Sequence, residues 1–218
     1  MKKVLIIAYH YPPRGGAGVH RNINLVNQIR DYDFEPVVLT ITEDEMVKQN
    51  ERIDRSLLNK VPGDVLVRRT SSGIPFGFKN FLIKIRLFRL AWFFLYPMFW
   101  ETAARWHKVA YRDAKELITQ HKISVVYTSS GPFASMVLAR RLQKDLGVKW
   151  VADLRDPFTD AYAWKFPSYM HWKWMRRFER KYFSKPDKLI VNTPEVKKLY
   201  IKRDLVDSKK ITVVTNGY

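Results

Sequence analysis

Two short segments group carboxylates, histidines and glycines in arrangements that suit a reaction. Residues 153–160 read DLRDPFTD and set Asp153, Asp156 and Asp160 around Arg155. A carboxylate in such a loop can orient a hydroxyl or accept its proton. A neighbouring guanidinium keeps it ionised, and an ionised Asp holds hydroxyls well while being a weak base near neutral pH. Residues 9–21 read YHYPPRGGAGVHR. Gly15, Gly16 and Gly18 allow backbone to come close to a ligand. A helix starting there offers unpaired N–H groups to an anion or a sugar hydroxyl. His10 and His20 flank the loop, and His20 is the stronger candidate for touching substrate. Each segment has a plainer alternative: a salt-bridged loop closing a sheet edge, and a flexible turn that only starts a helix.

Several chemistries are excluded. The dinucleotide fingerprint needs a third glycine where Arg21 stands, and the Gly-Lys-Ser/Thr of an ATP loop is missing. There is no Gly-x-Ser-x-Gly elbow. The aspartates lack histidines at metal-ligand spacing and do not form a calcium loop, so no metal site is expected. Cysteine is absent, which excludes a disulfide scaffold, Cys-ligated zinc, an iron–sulfur cluster and a cysteine nucleophile.

The elements that must carry these segments alternate. The chain has 218 residues, 46% of them hydrophobic, enough for a sizeable core. Short apolar runs at residues 3–8, 36–41, 64–69, 123–128, 149–153, 188–192 and 211–214 predict seven strands. Helical spacing covers residues 19–30, 133–146 and 169–183, with a capped start at Thr193-Pro194. Residues 43–59 read as partly helical, and residues 79–121 as mainly helical with a bend at Pro97. Strand–helix–strand order predicts an α/β fold: one doubly wound, mostly parallel sheet of about seven strands with helices on both faces. Such sheets bind ligands beyond the carboxyl ends of their strands. The loops after the first, fourth, fifth and seventh strands are therefore the ones to inspect.

Charge points to a partner. There are 39 Lys and Arg against 21 Asp and Glu, a net charge of +18, which implies a membrane surface, a nucleic acid or a phosphorylated substrate. Two stretches, residues 79–115 and 165–188, interleave cations with large aromatic rings. They suit the headgroup zone of an anionic bilayer, with Lys84, Arg86, Arg89, Trp92, Arg176 and Arg177 as candidate membrane contacts. The alternative is core aromatics with a solvated cationic face. No nucleic-acid motif is present, so nucleic acid is not an expected partner. The most apolar stretch, residues 90–100, is too short to cross a membrane. The start, Met1-Lys2-Lys3 and a brief apolar run, lacks a cleavage site and reads as a strand, not a leader.

The strand KVLIIA, the loop YHYPPRGGAGVHR, the segment VADLRDPFTD and the ending VVTNGY, taken in order, resemble the amino-terminal half of a GT-B glycosyltransferase of family four. The resemblance implies a single Rossmann-like domain over residues 1–218 that mainly binds the acceptor. A carboxy-terminal, donor-binding domain would lie outside this chain. The ending at Thr215-Asn216-Gly217-Tyr218 is similar to the family's crossover, so the chain alone is expected to be inactive. By position, Gly15, Gly16 and Gly18 match the loop that contacts donor phosphate or acceptor. Ser129, Ser130 and Gly131 line the same cleft. Arg155 and Asp156 match a place where many relatives carry His-Asp, with Arg here replacing His, and Asp156 is the expected catalytic residue that orients the acceptor. The resemblance implies no cofactor or metal, with a nucleotide sugar as co-substrate. It implies transfer to a glycan or lipid-linked acceptor with retained anomeric configuration, in cell-envelope polysaccharide synthesis. The expected location is cytoplasmic, at the inner face of the membrane. Two other classes remain open: a non-catalytic basic module for membrane or nucleic acid, and a complete small nucleotide-dependent reductase.

Overall fold

The computed structural model describes residues 1–85, 87, 93–94, 103–161 and 166–215. Its strands are β1 (Lys2–Ile7), β2 (Phe34–Ile41), β3 (Leu66–Thr70), β4 (Val125–Ser129), β5 (Lys149–Leu154), β6 (Lys188–Val191) and β7 (Ile211–Val213). They form one sheet in the order β3-β2-β1-β4-β5-β6-β7, and every pair is parallel. The helices are α1 (Ala17–Gln28), α2 (Glu43–Lys48), α3 (Phe76–Lys84), α4 (Trp106–Gln120), α5 (Ala134–Leu146), α6 (Tyr169–Phe183) and α7 (Pro194–Lys202). This is a Rossmann-like α/β fold. Strand order reverses between β1 and β4, and in open α/β sheets such a switch point is where a ligand crevice forms, outside the strands' carboxyl ends.

The period of two along each strand sorts residues between the two faces. Leu5 and Ile7 of β1 enter the larger core with Trp106, Ala110, Ala114 and Leu117 of α4 and Leu138 and Leu142 of α5. Val4 and Ile6 enter the second core with Val38 of β2 and Val26 of α1. On β5, Trp150, Ala152 and Leu154 point into the larger core. Val151 and Asp153 therefore face the side covered by α1. The buried Trp150 indole donates to Thr128 Oγ1 at 2.9 Å, and the Trp106 indole to Thr70 Oγ1 at 2.9 Å. Both large rings are thus buried without an orphaned N–H.

The structure refines three expectations. Residues 43–59 are helical in part, as expected: α2 stops at Lys48, Asn50 takes a left-handed φ of 55°, and a separate 3-10 turn spans Arg55–Lys60. The intervening residues are drawn off to pair with the loop after β1, where Ile53 bridges Arg14. The helix over residues 19–30 starts two residues earlier, at Ala17, and passes into a 3-10 turn at Ile29–Tyr32 that ends where Asp33 turns left-handed. Residues 79–121 are mainly helical among the described residues, with α3 ending at Lys84 and α4 beginning at Trp106. Pro97 lies outside the described residues. By contrast, α6 spans the expected residues. The Thr193 hydroxyl caps α7 by accepting from the Val196 N–H, with Pro194 in its first turn.

Candidate active-site crevice

The floor of the crevice is a buried ion pair. Asp153 is the last inward residue of β5 on the α1 face, and its side chain is fully buried. Arg21, one turn into α1, grips it with both arms: Nε donates to Oδ2 at 2.5 Å and Nη2 to Oδ1 at 2.9 Å. The Tyr127 hydroxyl, two residues before the end of β4, also donates to Asp153. Burial and the adjacent carboxylate push the Tyr127 phenol well above its ordinary range, so it stays a neutral donor. Arg21 reaches further, donating to the carbonyls of Val214 (3.2 Å) and Thr215 (3.3 Å) just past β7. One guanidinium therefore joins α1, β5 and the end of the last strand.

Beside this pair stands Arg155. Its backbone N–H donates to Ser130 Oγ at 3.2 Å, and its Nε and Nη2 donate to the Ser130 carbonyl at 3.0 and 2.7 Å. The guanidinium lies in a slot between two glycines. A β-carbon on Gly18 would collide with Nη1, and one on Gly131 would stand 2.8 Å from Nη2. Gly131 also holds a φ of 83°, a backbone state that favours glycine. Burial pulls the Arg155 pKa down from its ordinary value. Ser129 and Ser130 are buried at the same edge.

His10 enters from the loop after β1. Its ring contacts Tyr9 edge-on at 5.2 Å, and Asn22 Nδ2 donates to its carbonyl at 3.1 Å. Burial, with Arg14 and Arg155 close by, lowers its pKa to about 3, against a weaker opposing pull from a hydrogen bond to the Gly131 backbone. The imidazole is therefore neutral at physiological pH, with Arg14 and Arg155 close by and a Glu51 carboxylate oxygen 3.9 Å from Nε2.

The sites expected from sequence are brought to one rim, with different tasks. Gly15 is buried, and its N–H is committed to the Arg52 carbonyl at 2.7 Å, so that group is not open to a ligand. The loop is braced there by Arg14, which pairs with Glu51 at 2.7 Å. Gly16 is exposed at the start of α1, which no side chain caps. Gly18 makes room for Arg155. His20 is exposed on α1, while the less favoured His10 lies in the crevice. Asp156 is exposed at the mouth. Asp160 belongs elsewhere: it pairs with Arg176 at 3.3 Å and with Arg203, whose other arm meets the fully buried Glu179. The Thr159 hydroxyl also donates to Glu179, at 2.7 Å. The aspartates thus do not surround Arg155; they are drawn apart by cations from three other elements.

Sequence reasoning named Arg21 only as a missing glycine and did not single out Tyr127. The signal was available. Asp153 shares a face with Val151 in a buried strand, and a buried carboxylate requires a cation. Of the candidate membrane contacts, Lys84 and Arg177 are exposed. Arg176 is taken up by Asp160 and by the Trp172 ring, 4.8 Å from its guanidinium. Arg86, Arg89 and Trp92 lie outside the described residues. Among the described residues no His, Cys, Asp or Glu side chains gather as a metal site, and no helix is long and apolar enough to cross a membrane.

Comparison with known proteins follows this geometry. The family model described as Glycosyltransferase Family 4 matches residues 14–218. No curated protein matches the sequence. Among solved structures, the chain is similar to a glycosyltransferase from Rickettsia africae ESF-5 (TM-score 0.52, 16% identity), covering 99% of this chain and 43% of that one. It is similar to sucrose-phosphate synthase from Thermosynechococcus elongatus (TM-score 0.62, 12% identity, covering 100% and 49%). It is also similar to the UDP-GlcNAc 2-epimerase from Neisseria meningitidis bound to UDP-GlcNAc (TM-score 0.54, 11% identity, covering 98% and 46%). The chain spans less than half the length of each of these structures, and at such identities the likeness establishes the fold alone.

Two outcomes test the crevice. Arg21→Met leaves the Asp153 carboxylate buried without its partner and should cost about 3–5 kcal/mol in urea unfolding, part of it recovered by adding Asp153→Asn. His10 has a folded pKa below its unfolded value of 6.5, so the unfolded chain binds the extra proton between 6.5 and about 3. Its contribution to stability is present above that window and is lost as pH falls through it. His10→Gln should flatten this part of the stability–pH curve, and the wild-type imidazole resonance should not titrate near neutrality.

Proposed function

Because the chain belongs to glycosyltransferase family 4, we propose that it is the acceptor-binding half of an enzyme moving a sugar from a nucleotide-sugar donor to a glycan or lipid-linked acceptor. The donor would be gripped by a second domain outside this chain, facing the carboxyl ends of β1, β4 and β5. The observation that carries the proposal is the convergence of Arg21–Asp153, Arg155, His10 and Asp156 at the β1/β4 switch point of a family member.

In this reading Asp156, free at the mouth, accepts a hydrogen bond from the acceptor hydroxyl and aims it. The hydroxyl oxygen bonds to the anomeric carbon, the diphosphate leaves with the bonding pair, and the hydroxyl proton passes to an oxygen of that diphosphate. The buried Asp153 does not face substrate; it holds the floor on which Arg155 and Asp156 are mounted. The transfer is expected to retain anomeric configuration and to use no metal or other cofactor.

A membrane-borne acceptor in cell-envelope synthesis is supported by surface chemistry. His171 Nε2 stands 3.0 Å from the Phe93 carbonyl, which places Phe93 and Phe94 beside the start of α6. Phe94 and Met170 are 71% and 78% exposed, and Tyr169 is exposed with them. The exposed cations Lys173 and Arg177 continue along α6. Rings and cations in this arrangement suit an anionic headgroup layer, in keeping with a cytoplasmic protein docked at the inner face.

Two measurements test the proposal. The protein extended past Tyr218 should transfer label from a nucleotide sugar to membrane-extracted acceptor, with Asp156→Asn lowering kcat about 100-fold. Undiminished turnover in that variant would remove Asp156 from the reaction. The chain should sediment with phosphatidylglycerol vesicles at low salt, less so with neutral vesicles, and Met170→Glu with Phe94→Glu should weaken it. Indifference to vesicle charge would refute the membrane link.

A further inference from the structure

Half-buried arginines in this fold usually meet a carboxylate. Arg14 meets Glu51, Arg21 meets Asp153, Arg176 meets Asp160 and Arg203 meets Glu179. Arg155, like Arg69 and Arg140, does not: among the described residues no carboxylate stands at ion-pair distance from it. Its Nε and Nη2 converge on one neutral acceptor, the Ser130 carbonyl. Nη1 has no acceptor among the described residues, and it lies over Gly18 on the opposite edge. A guanidinium taken from water without a counter-ion is costly. Anchoring the loop through one carbonyl would need only one edge of the group. Here Gly131 makes room for the committed Nη2 arm, and Gly18 for the Nη1 arm that the anchor does not use.

Among the described residues, no carboxylate in contact supplies the missing charge. α1 begins at this rim with no acidic residue in its first turn and no side-chain cap. Asp153, the nearest buried carboxylate, is occupied by Arg21 and Tyr127. Asp156 acts on Arg155 through space but is exposed.

We propose that Arg155 is a specificity residue that reads an oxyanion, phosphate or carboxylate, carried by the molecule that enters the crevice. The planar fork suits either group, since guanidinium N–H bonds pair with two oxygens at once. This deepens the reading of the crevice as a transferase site and depends on it for the ligand's identity, not for the binding. The oxyanion belongs either to the acceptor, as a sugar acid or a lipid phosphate, or to the leaving diphosphate.

The test is a titration of the labelled chain with inorganic phosphate, D-glucuronate and UDP at low salt. It follows the Arg155 side-chain Nε–H and the Gly18 and Gly131 amides by NMR. Saturable shifts at these three groups are expected. Arg155→Gln should weaken binding about ten-fold or more, whereas Arg177→Gln, on the exposed face of α6, should change it less than about two-fold. Arg155→Lys should recover only part. UDP binding at least about ten-fold tighter than the other two assigns the oxyanion to the diphosphate; comparable binding of all three assigns it to the acceptor. Should Arg155→Gln not fold, Gly18→Ala keeps the charge but displaces Nη1, and must weaken binding likewise. Absence of saturable shifts, or equal weakening by Arg155→Gln and Arg177→Gln, overturns the proposal. Sugar transfer by the extended protein is measured separately and could survive that result.

Discussion

A single bidentate ion pair, Arg21 to Asp153, fixes the relation between the two halves of the sheet. α1 follows β1, on one side of the switch point, while β5 lies on the other. Without a tie, the crevice between them would depend only on nondirectional apolar packing. Two parallel N–H···O bonds set angle as well as distance. The Tyr127 hydroxyl adds a further donor from the intervening region of β4, and the Val214 and Thr215 carbonyls bring in the end of β7. Burying these charges costs hydration, so the pair contributes geometry more than net stability.

The acid-rich loop after β5 shows how one short sequence is divided by its environment. Asp153 is still inside the strand and points under α1. Arg155 turns back over Ser130. Asp156 is left at the mouth. Asp160 has passed on to α6 and α7, where Arg176 and Arg203 hold it beside buried Glu179. That second network fastens the loop's far end, so Asp156 sits on a short span fixed on both sides. The mouth can therefore present a defined carboxylate without being made of regular structure.

Much of the fold was legible in the residues. Seven apolar runs gave seven strands, and the period of helix α6 gave both its ends. The cap at Thr193-Pro194 was read from chemistry that acts within one turn. Less was legible where distant chain sets the local conformation. Residues 43–59 read as partly helical, and what interrupts them is long-range: residues 52–54 pair with the loop after β1. At the site, the glycines suggested a cradle for ligand. Gly15 instead packs against residues 52–54, and Gly18 clears space for a guanidinium 137 positions away in sequence.

The sequence by itself determined the parallel α/β layer, the exclusion of thiol chemistry, and the strand ends at which the candidate residues gather. These follow from periodicity, composition and turn chemistry, which act over a few residues. Tertiary structure alone decided that Arg21 and not Arg155 holds Asp153, that His10 and not His20 packs beside Arg155, and that Arg155 turns to the Ser130 carbonyl. Partners for charged groups are chosen by proximity in space, and buried charge is tolerated only where such a partner arrives. That arrival depends on how the sheet is wound, which no local pattern of residues records.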